Sequence, residues 1–447
     1  MQPGGEGIGD PYFPEFGNEG YDVQHYQIDL AVDMERQEIE GETTIEAVAK
    51  RDLSGIDLEF AGLEIDSLTV DGEAASYERN GIELVITFTT GKAAEQPFNA
   101  KIQYHGTPGE GEDFSNEPEY SVGWGWYDEG DGAYVAAEPV GSSSWYPNNE
   151  HPLDKATYGY RITVAKPYVV AANGLLTETI DNGNTTTYVW DSQFPMASYL
   201  STVGIAKFDI ETDTGPNGLP IRNYFEEDIP NSTRHDFDRI AEIIDFYDSI
   251  YGPYPFEAAG VVVHDLDFGF SLETQTMIVF GSGFTDEYVV AHELAHQWFG
   301  DNVGPKCWQD IWLNEGFATY SEALWTEHSQ GAQAFDDEIR YYYQDMASSD
   351  HYPPPGDPGA ENLFAGSVYE RGALTLHALR LKVGDTKFFE IMRTYYVRFA
   401  GSNADTNDFI SVAEEVSGQQ LDDFFDAWLY QDHMPDIPEM DLFNEDF

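Results

Sequence analysis

The stretch His292–Gly300, HELAHQWFG, together with Glu315 in WLNEGFATYSE (Trp312–Glu322), decides how this 447-residue chain is read. Two histidines four apart on a helix sit roughly 40° from each other and one turn along, so both imidazoles reach one metal ion. A carboxylate from a later segment, Glu315, follows with 18 residues between it and His296. It completes three ligands and leaves a fourth position open, the arrangement a hydrolytic zinc requires. Glu293 lies beside the ligands without sharing their direction and is placed to act as general base. Thr285 is the expected cap of this helix, Asp286 and Glu287 suit the positive end of its dipole, and Gly300 is expected to end it. The cofactor expected is one Zn2+ per chain, since a His2Glu donor set suits zinc best.

Charge narrows the partners. Asp and Glu number 82 against 21 Lys and Arg, a formal net charge of −61. Nucleic acid is excluded as a partner, because phosphate binding needs a basic patch. The acidic residues are scattered over both halves of the sequence, as a solvation device would be. Such self-repulsion strains a compact state at ordinary ionic strength and is screened in molar salt, which predicts a salt-adapted protein of halophilic type. No apolar run approaches the 18 or so residues of a membrane span, and MQPGGEGIGD lacks a signal-peptide pattern, so a cytoplasmic protein without membrane contact is expected. The lone cysteine, Cys307, is expected to be a buried small apolar group.

Two periodicities divide the chain. Tyr26, Ile28, Leu30 and Val32 alternate with polar residues, as do Ile82, Leu84, Ile86 and Phe88, and again Tyr158, Tyr160, Ile162 and Val164. Asp71-Gly72, Asn80-Gly81 and Asn182-Gly183 separate such runs as turns. Further on, Phe237, Ile240, Ile244, Tyr247 and Tyr251 fall at helical intervals after a Ser232 cap. The chain therefore predicts an α+β multidomain protein: residues 1–206 a mostly antiparallel β domain, 207–434 a mainly helical catalytic domain, and 435–447 an acidic tail on the surface.

These segments together resemble peptidase family M1, the zinc aminopeptidases that include aminopeptidase N and leukotriene A4 hydrolase. Besides HELAHQWFG and NEGFATYSE, the resemblance covers WYPNNEHPLDKAT (Trp145–Thr157), FPMASYLSTVGIAKF (Phe194–Phe208), VYERGALTLHALR (Val368–Arg380) and DDFFDAWLY (Asp422–Tyr430). It implies a saddle-shaped N-terminal domain and a thermolysin-like catalytic domain holding zinc on His292, His296 and Glu315. Larger members continue into a helical C-terminal domain that this chain has no room for, so a more open site is expected.

The resemblance also implies roles. Tyr369 matches the family's catalytic tyrosine, a neutral donor for the developing oxyanion. GFSLETQTM (Gly269–Met277) is similar to the family's exopeptidase segment and places Glu273 at the substrate amine, although Phe270, Leu272 and Thr274 depart from the usual residues. Phe270 is expected to alter the pocket for the first side chain. Glu138 is a second amine contact, with Ala136 where a glutamine is common. Glu322, two turns after Glu315, is placed to hold a ligand imidazole from the outer shell, with Asp310 a weaker candidate. His264 and His377 lack ligand spacing and are read as structural or surface residues. The function expected is release of N-terminal residues from peptides with a free amine. Three alternatives share the scaffold: an epoxide hydrolase of the leukotriene A4 hydrolase type, a zinc endopeptidase, and an inactive binding protein.

Overall fold

The structure is a computed structural model describing residues 3–109, 125–348 and 352–444. It forms two compact units: Met1–Thr214, Leu219–Asn231 and Phe256–Phe284 make the first, and Gly215–Gly218, Ser232–Pro255 and Thr285–Phe447 the second.

The first unit is built of sheets, as the period of two predicts. Its largest has eight strands, in the order Leu175–Asp181, Thr185–Met196, Ala156–Ala165, Tyr21–Asp33, Glu38–Ala49, Pro97–Gly106, Glu64–Val70 and Glu73–Ala74. Among the described residues its one parallel pairing sets Tyr26, Ile28, Leu30 and Val32 opposite Tyr158, Tyr160, Ile162 and Val164. All eight side chains are buried, and the Tyr26 and Tyr158 rings stack at 5.0 Å. Asp71 and Gly72 take φ of 50° and 78°, so this turn has two left-handed residues, matching the twist of a tight hairpin.

The segment Trp145–Thr157 is a buried polar staple in this unit. Glu150 accepts N–H bonds from Gly141, at 2.6 Å, and from Ser142. Asp154 accepts from the Val23 amide at 3.1 Å and from Asn149 Nδ2 at 2.5 Å. Burial pushes the Asp154 carboxyl up to about 7 in spite of these bonds.

Two smaller sheets of the same unit carry candidate residues. One runs Gly125–Asp128, Ala133–Ala136, Val203–Ala206, Val169–Ala172; the other runs Phe208–Thr214, Pro220–Glu226, Ala259–His264, Ile278–Gly281, Ser271–Leu272. In the second, Ala259–His264 pairs in parallel with both neighbours and is buried at every residue, which is why its sequence shows no alternation. Here the structure departs from the expected boundary at 206/207. Strand pairing from Phe208 onward groups 207–214, 219–231 and 256–284 with the first unit.

The second unit is helical: α1 (Asn231–Arg234), α2 (Ile240–Ile250), α3 (Glu287–His296), α4 (Trp312–Gln330), α5 (Ala332–Ala347), α6 (Gly372–Val383), α7 (Asp385–Phe399), α8 (Thr406–Ser417) and α9 (Asp422–Leu429). Ser232 lies inside α1 and does not cap α2, whose preceding residue is Arg239. Helix α4 is the axis of the unit, buried on nearly every face against α3, α5 and α6. The stretch after 434 is more than a surface tail: Ile437, Met440 and Leu442 are buried, and Ile437 pairs with Leu442. Residues 445–447 of that stretch lie outside the described residues.

Candidate metal centre

Helix α3 begins one residue later than Thr285 suggests. Asp286 is the cap, its Oδ1 accepting from the Tyr288 and Val289 amides at 3.0 and 3.2 Å. Thr285 instead donates its hydroxyl to Asp236 at 3.0 Å. The helix ends at His296, and Gly300 (φ 130°) lies in the turn beyond. Glu287 ties the start of α3 to α4, its Oε1 accepting from Trp325 Nε1 at 2.9 Å and from Arg239 at 2.7 Å. Tyr247 of α2 supports the middle, its Oη lying 3.0 Å from both the Ala291 and Ser321 carbonyl oxygens. Those carbonyls immediately precede His292 and Glu322.

Held this way, α3 and α4 bring His292, His296 and Glu315 together. Glu315 Oε2 lies 3.3 Å from His292 Nε2 and 3.4 Å from His296 Nε2. Ligands bonded at about 2.1 Å around a tetrahedral ion stand about 3.4 Å apart, so the donor set fits zinc in both chemistry and spacing. Both rings present Nε2 to Glu315. His296 Nδ1 faces the Phe299 carbonyl at 3.1 Å, and His292 Nδ1 faces Glu322 Oε2 at 3.5 Å. Such partners fix the tautomer that leaves Nε2 free to ligate.

Electrostatics point the same way. Burial opposes a charged His292, yet Glu315, Glu322 and Glu293 outweigh it and hold its pKa well above the ordinary histidine value. Burial pushes the Glu315 carboxyl up, but His296 and His292 pull it below the ordinary glutamate range. The cluster demands positive charge, from a proton or from a cation.

Glu293 is buried on the same helix, with a carboxylate oxygen within 4.8 Å of a His296 nitrogen. Tyr369 is half-buried, its ring 6.0 Å from that of His292 and nearly parallel to it. It sits on a single π-helical turn, Ser367–Arg371, an irregularity that often marks functional positions. The turn is held close to Glu315 by two glycines: a Cβ added at Gly316 would stand 2.8 Å from the Gly372 Cα, so α4 and α6 meet backbone to backbone. Sequence reasoning gave Tyr247, Gly316 and Gly372 no role at the site, although the small residue after Glu315 was the available signal.

Asp310 has a different task from the one expected. Its Oδ1 accepts from the Thr406 amide and hydroxyl at 3.0 and 2.8 Å, anchoring the start of α8. Cys307 is half-buried and donates its thiol to Asp310 Oδ2 at 3.2 Å, so it is a hydrogen-bonded group rather than an apolar filler. His377 is a core residue, kept neutral by burial and by Arg380, which lower its pKa to about 4.

In the first unit, Glu138 and Glu273 are both buried, each with an oxygen within 4.8 Å of the other's. Glu138 follows strand Ala133–Ala136, and Glu273 follows Ser271–Leu272. The segment after Glu273 is clamped. Asn173 Nδ2 donates to the Gln275 carbonyl at 2.7 Å, and Arg222 donates to the Thr276 carbonyl at 2.8 Å. Thr276 has φ 66°, a strained conformation that such clamping sustains. Phe270 is half-buried, its ring 4.6 Å from Phe268, which stacks on Tyr134 at 4.7 Å.

Two family models match the chain: Peptidase M1 N-terminal domain over residues 22–200 and Peptidase family M1 domain over 284–428. Among curated proteins, glutamyl aminopeptidase of Sus scrofa is 26% identical over 334 residues, covering 68% of this chain and 35% of that protein. Probable aminopeptidase 1 of Sulfurisphaera tokodaii is 25% identical over 450 residues, covering 93% and 54%. The chain thus spans between about a third and about half the length of these two curated relatives. Among solved structures, an M1 zinc metallopeptidase from Deinococcus radiodurans superposes with TM-score 0.89 at 29% identity, over 97% of this chain and 98% of that one. A mutant of that metallopeptidase bound to a Tyr-Ser-Ala substrate matches with the same TM-score and identity, over 97% and 99%.

Proposed function

Because this chain belongs to peptidase family M1, we propose that it is a zinc-dependent aminopeptidase releasing the N-terminal residue from peptides. The observation that carries this reading is the convergence of His292 Nε2, His296 Nε2 and Glu315 Oε2 beside the buried Glu293. Zinc held by those three residues supplies Lewis acidity, polarising a carbonyl and lowering the pKa of water.

The chain's own residues do the rest. Glu293 accepts a proton from the attacking water as its oxygen bonds to the scissile carbonyl carbon. It returns that proton to the peptide nitrogen, which leaves as an amine when the C–N bond breaks. Tyr369 donates its phenolic hydrogen to the carbonyl oxygen as negative charge gathers there, a stabilisation needed more in the transition state than before it. Glu322 and the Phe299 carbonyl keep the two imidazoles in their ligating tautomers.

An aminopeptidase also needs a seat for the α-ammonium. Glu138 and Glu273 are buried carboxylates with oxygens within 4.8 Å of each other, a pair of negative groups that suits an α-ammonium. This pair favours an exopeptidase over an endopeptidase. The Tyr-Ser-Ala complex of the Deinococcus radiodurans mutant supports a peptide as the substrate class. The net charge of −61 supports work in molar salt, where self-repulsion is screened.

A panel of aminoacyl chromogenic substrates and their N-acetylated counterparts, assayed in molar KCl with and without chelator, tests the proposal. Cleavage of free-amine substrates alone, abolished by chelation and restored by Zn2+, is expected. Equal cleavage of blocked substrates removes the exopeptidase claim, and activity surviving complete chelation removes the zinc claim. Withdrawal of KCl is expected to cost both activity and fold.

A further inference from the structure

A second histidine–carboxylate cluster lies wholly within the first unit, built from three distant segments. Glu129 sits in the turn before strand Ala133–Ala136, its amide donating to the Gly132 carbonyl at 2.9 Å. Glu226 ends strand Pro220–Glu226, and His264 ends the neighbouring parallel strand Ala259–His264. One donor atom from each lies within 4.8 Å of the others.

His264 is the informative member. It has no exposed surface, and neither ring nitrogen makes a hydrogen bond. Leaving a buried imidazole so placed is costly unless something else satisfies it. The rings of Tyr134 and Phe208 pack against it at 5.4 and 5.5 Å, while Nδ1 faces the two carboxylates, 3.6 Å from Glu129 Oε2 and 3.8 Å from Glu226 Oε2. A charge-assisted hydrogen bond would draw such atoms to about 2.7–2.9 Å. The observed separations instead approach the edges of a ligand polyhedron, and they resemble the 3.3 and 3.4 Å of the α3–α4 cluster.

Charge balance agrees. Two carboxylates beside a neutral imidazole sum to −2, which a divalent cation cancels; a protonated imidazole would still leave −1. Among the described residues no Lys or Arg forms an ion pair with Glu129 or Glu226. The nearby Lys207 is bonded to Asp131 Oδ2 at 2.6 Å. Glu226 Oε2 accepts from the Asp265 amide at 2.9 Å, an outer contact that orients the carboxylate. The side chains of Glu129 and Glu226 keep 11% and 21% of their surface exposed, which leaves a path for an ion to enter.

We infer that Glu129, Glu226 and His264 form a second divalent-cation site, suited to a first-row transition ion such as Zn2+ or Mn2+. The ion ties the sheet containing Ala133–Ala136 to the sheet containing Ala259–His264. Its role is structural.

Metal counting tests this on the full chain. The protein is stripped with chelator in molar KCl, reloaded with Zn2+ or Mn2+, and passed through metal-free gel filtration in molar KCl, which screens diffuse binding to the acidic surface. Bound metal is then measured per chain. Two ions are expected in the wild type, one in His296→Ala, one in the double variant Glu129→Gln/Glu226→Gln, and none when all three changes are combined. Metal is also expected to raise the melting temperature of His296→Ala, and this shift to vanish in the triple variant. A His296→Ala protein holding no ion, or a double variant holding as many ions as the wild type, would each overturn the inference. If the double variant fails to fold, Glu129→Gln alone, at the partly exposed edge, carries the same expectation. Failure of the α3–α4 centre to bind metal would show separately, as equal counts in wild type and His296→Ala.

Discussion

The α3–α4 cluster and the Glu129–Glu226–His264 cluster hold their donors at similar spacings, 3.3 and 3.4 Å in one, 3.6 and 3.8 Å in the other. They differ in what stands behind the donors. In the helical cluster Nδ1 of each imidazole has its own partner, Phe299 or Glu322, and Tyr247 braces the helices from behind. In the strand cluster the imidazole is surrounded by rings, with no hydrogen bond at either nitrogen. A pre-oriented ligand set is what a reaction needs, because geometry held before the substrate arrives does not have to be reached during the step. A ligand set whose imidazole lacks such bracing fits an ion that orders the fold.

The contrast can be broken by substitution. The largest effect is expected from Glu293→Gln, which removes the proton acceptor and keeps the shape: kcat falls about 10²–10⁴-fold. Metal content stays the same, and a fall in metal content would move Glu293 from base to ligand. Tyr369→Phe is next, with kcat reduced about 10²–10³-fold and KM nearly unchanged if the phenol acts on the developing oxyanion. A change confined to KM would make Tyr369 a binding residue.

Glu322→Gln addresses the bracing itself. Zinc affinity of the helical centre is expected to weaken about 10–100-fold, as loss of an outer-shell carboxylate does elsewhere. The second ion should be unaffected, and equal weakening of both would erase the distinction.

The smallest effect concerns stability. The Asp154 carboxyl, raised by burial to about 7, binds a proton more tightly in the folded chain than in the unfolded one, where its pKa is about 3.9. Its contribution is therefore full below about pH 4 and is lost as pH rises toward 7, with a slope of at most about 1.4 kcal/mol per pH unit. Asp154→Asn should flatten this part of the stability–pH curve, measured by denaturant unfolding at several pH values. An unchanged slope would assign the pH dependence to other buried acids.

The helical cluster was legible because a helix repeats its geometry along the sequence: two ligands four apart share a face, and the base lies between them. Alternating strands such as Tyr26–Val32 were legible for the same reason, with a period of two. What stayed hidden depends on partners far along the chain. Glu129, Glu226 and His264 come from segments with no fixed spacing, so His264 looked like a residue without ligand company. The cap of α3 was missed by one residue, since Thr285 and Asp286 are both good caps and only Asp236, which takes the Thr285 hydroxyl, decides between them. The unit boundary moved for a similar reason: the strand pairing of Phe208–Thr214 with Pro220–Glu226, and of that strand with Ala259–His264, is a long-range fact. The acidic end hid three buried apolar residues, Ile437, Met440 and Leu442, among its charges.

One measurement bears most directly on the proposed activity: mass spectrometry of a hexapeptide incubated with the zinc-loaded protein in molar KCl, once with a free N-terminus and once N-acetylated. The account predicts a ladder of products each one residue shorter from the N-terminus for the free peptide, and an intact acetylated peptide. Internal cleavage of either peptide, or removal of the acetylated first residue, would contradict it.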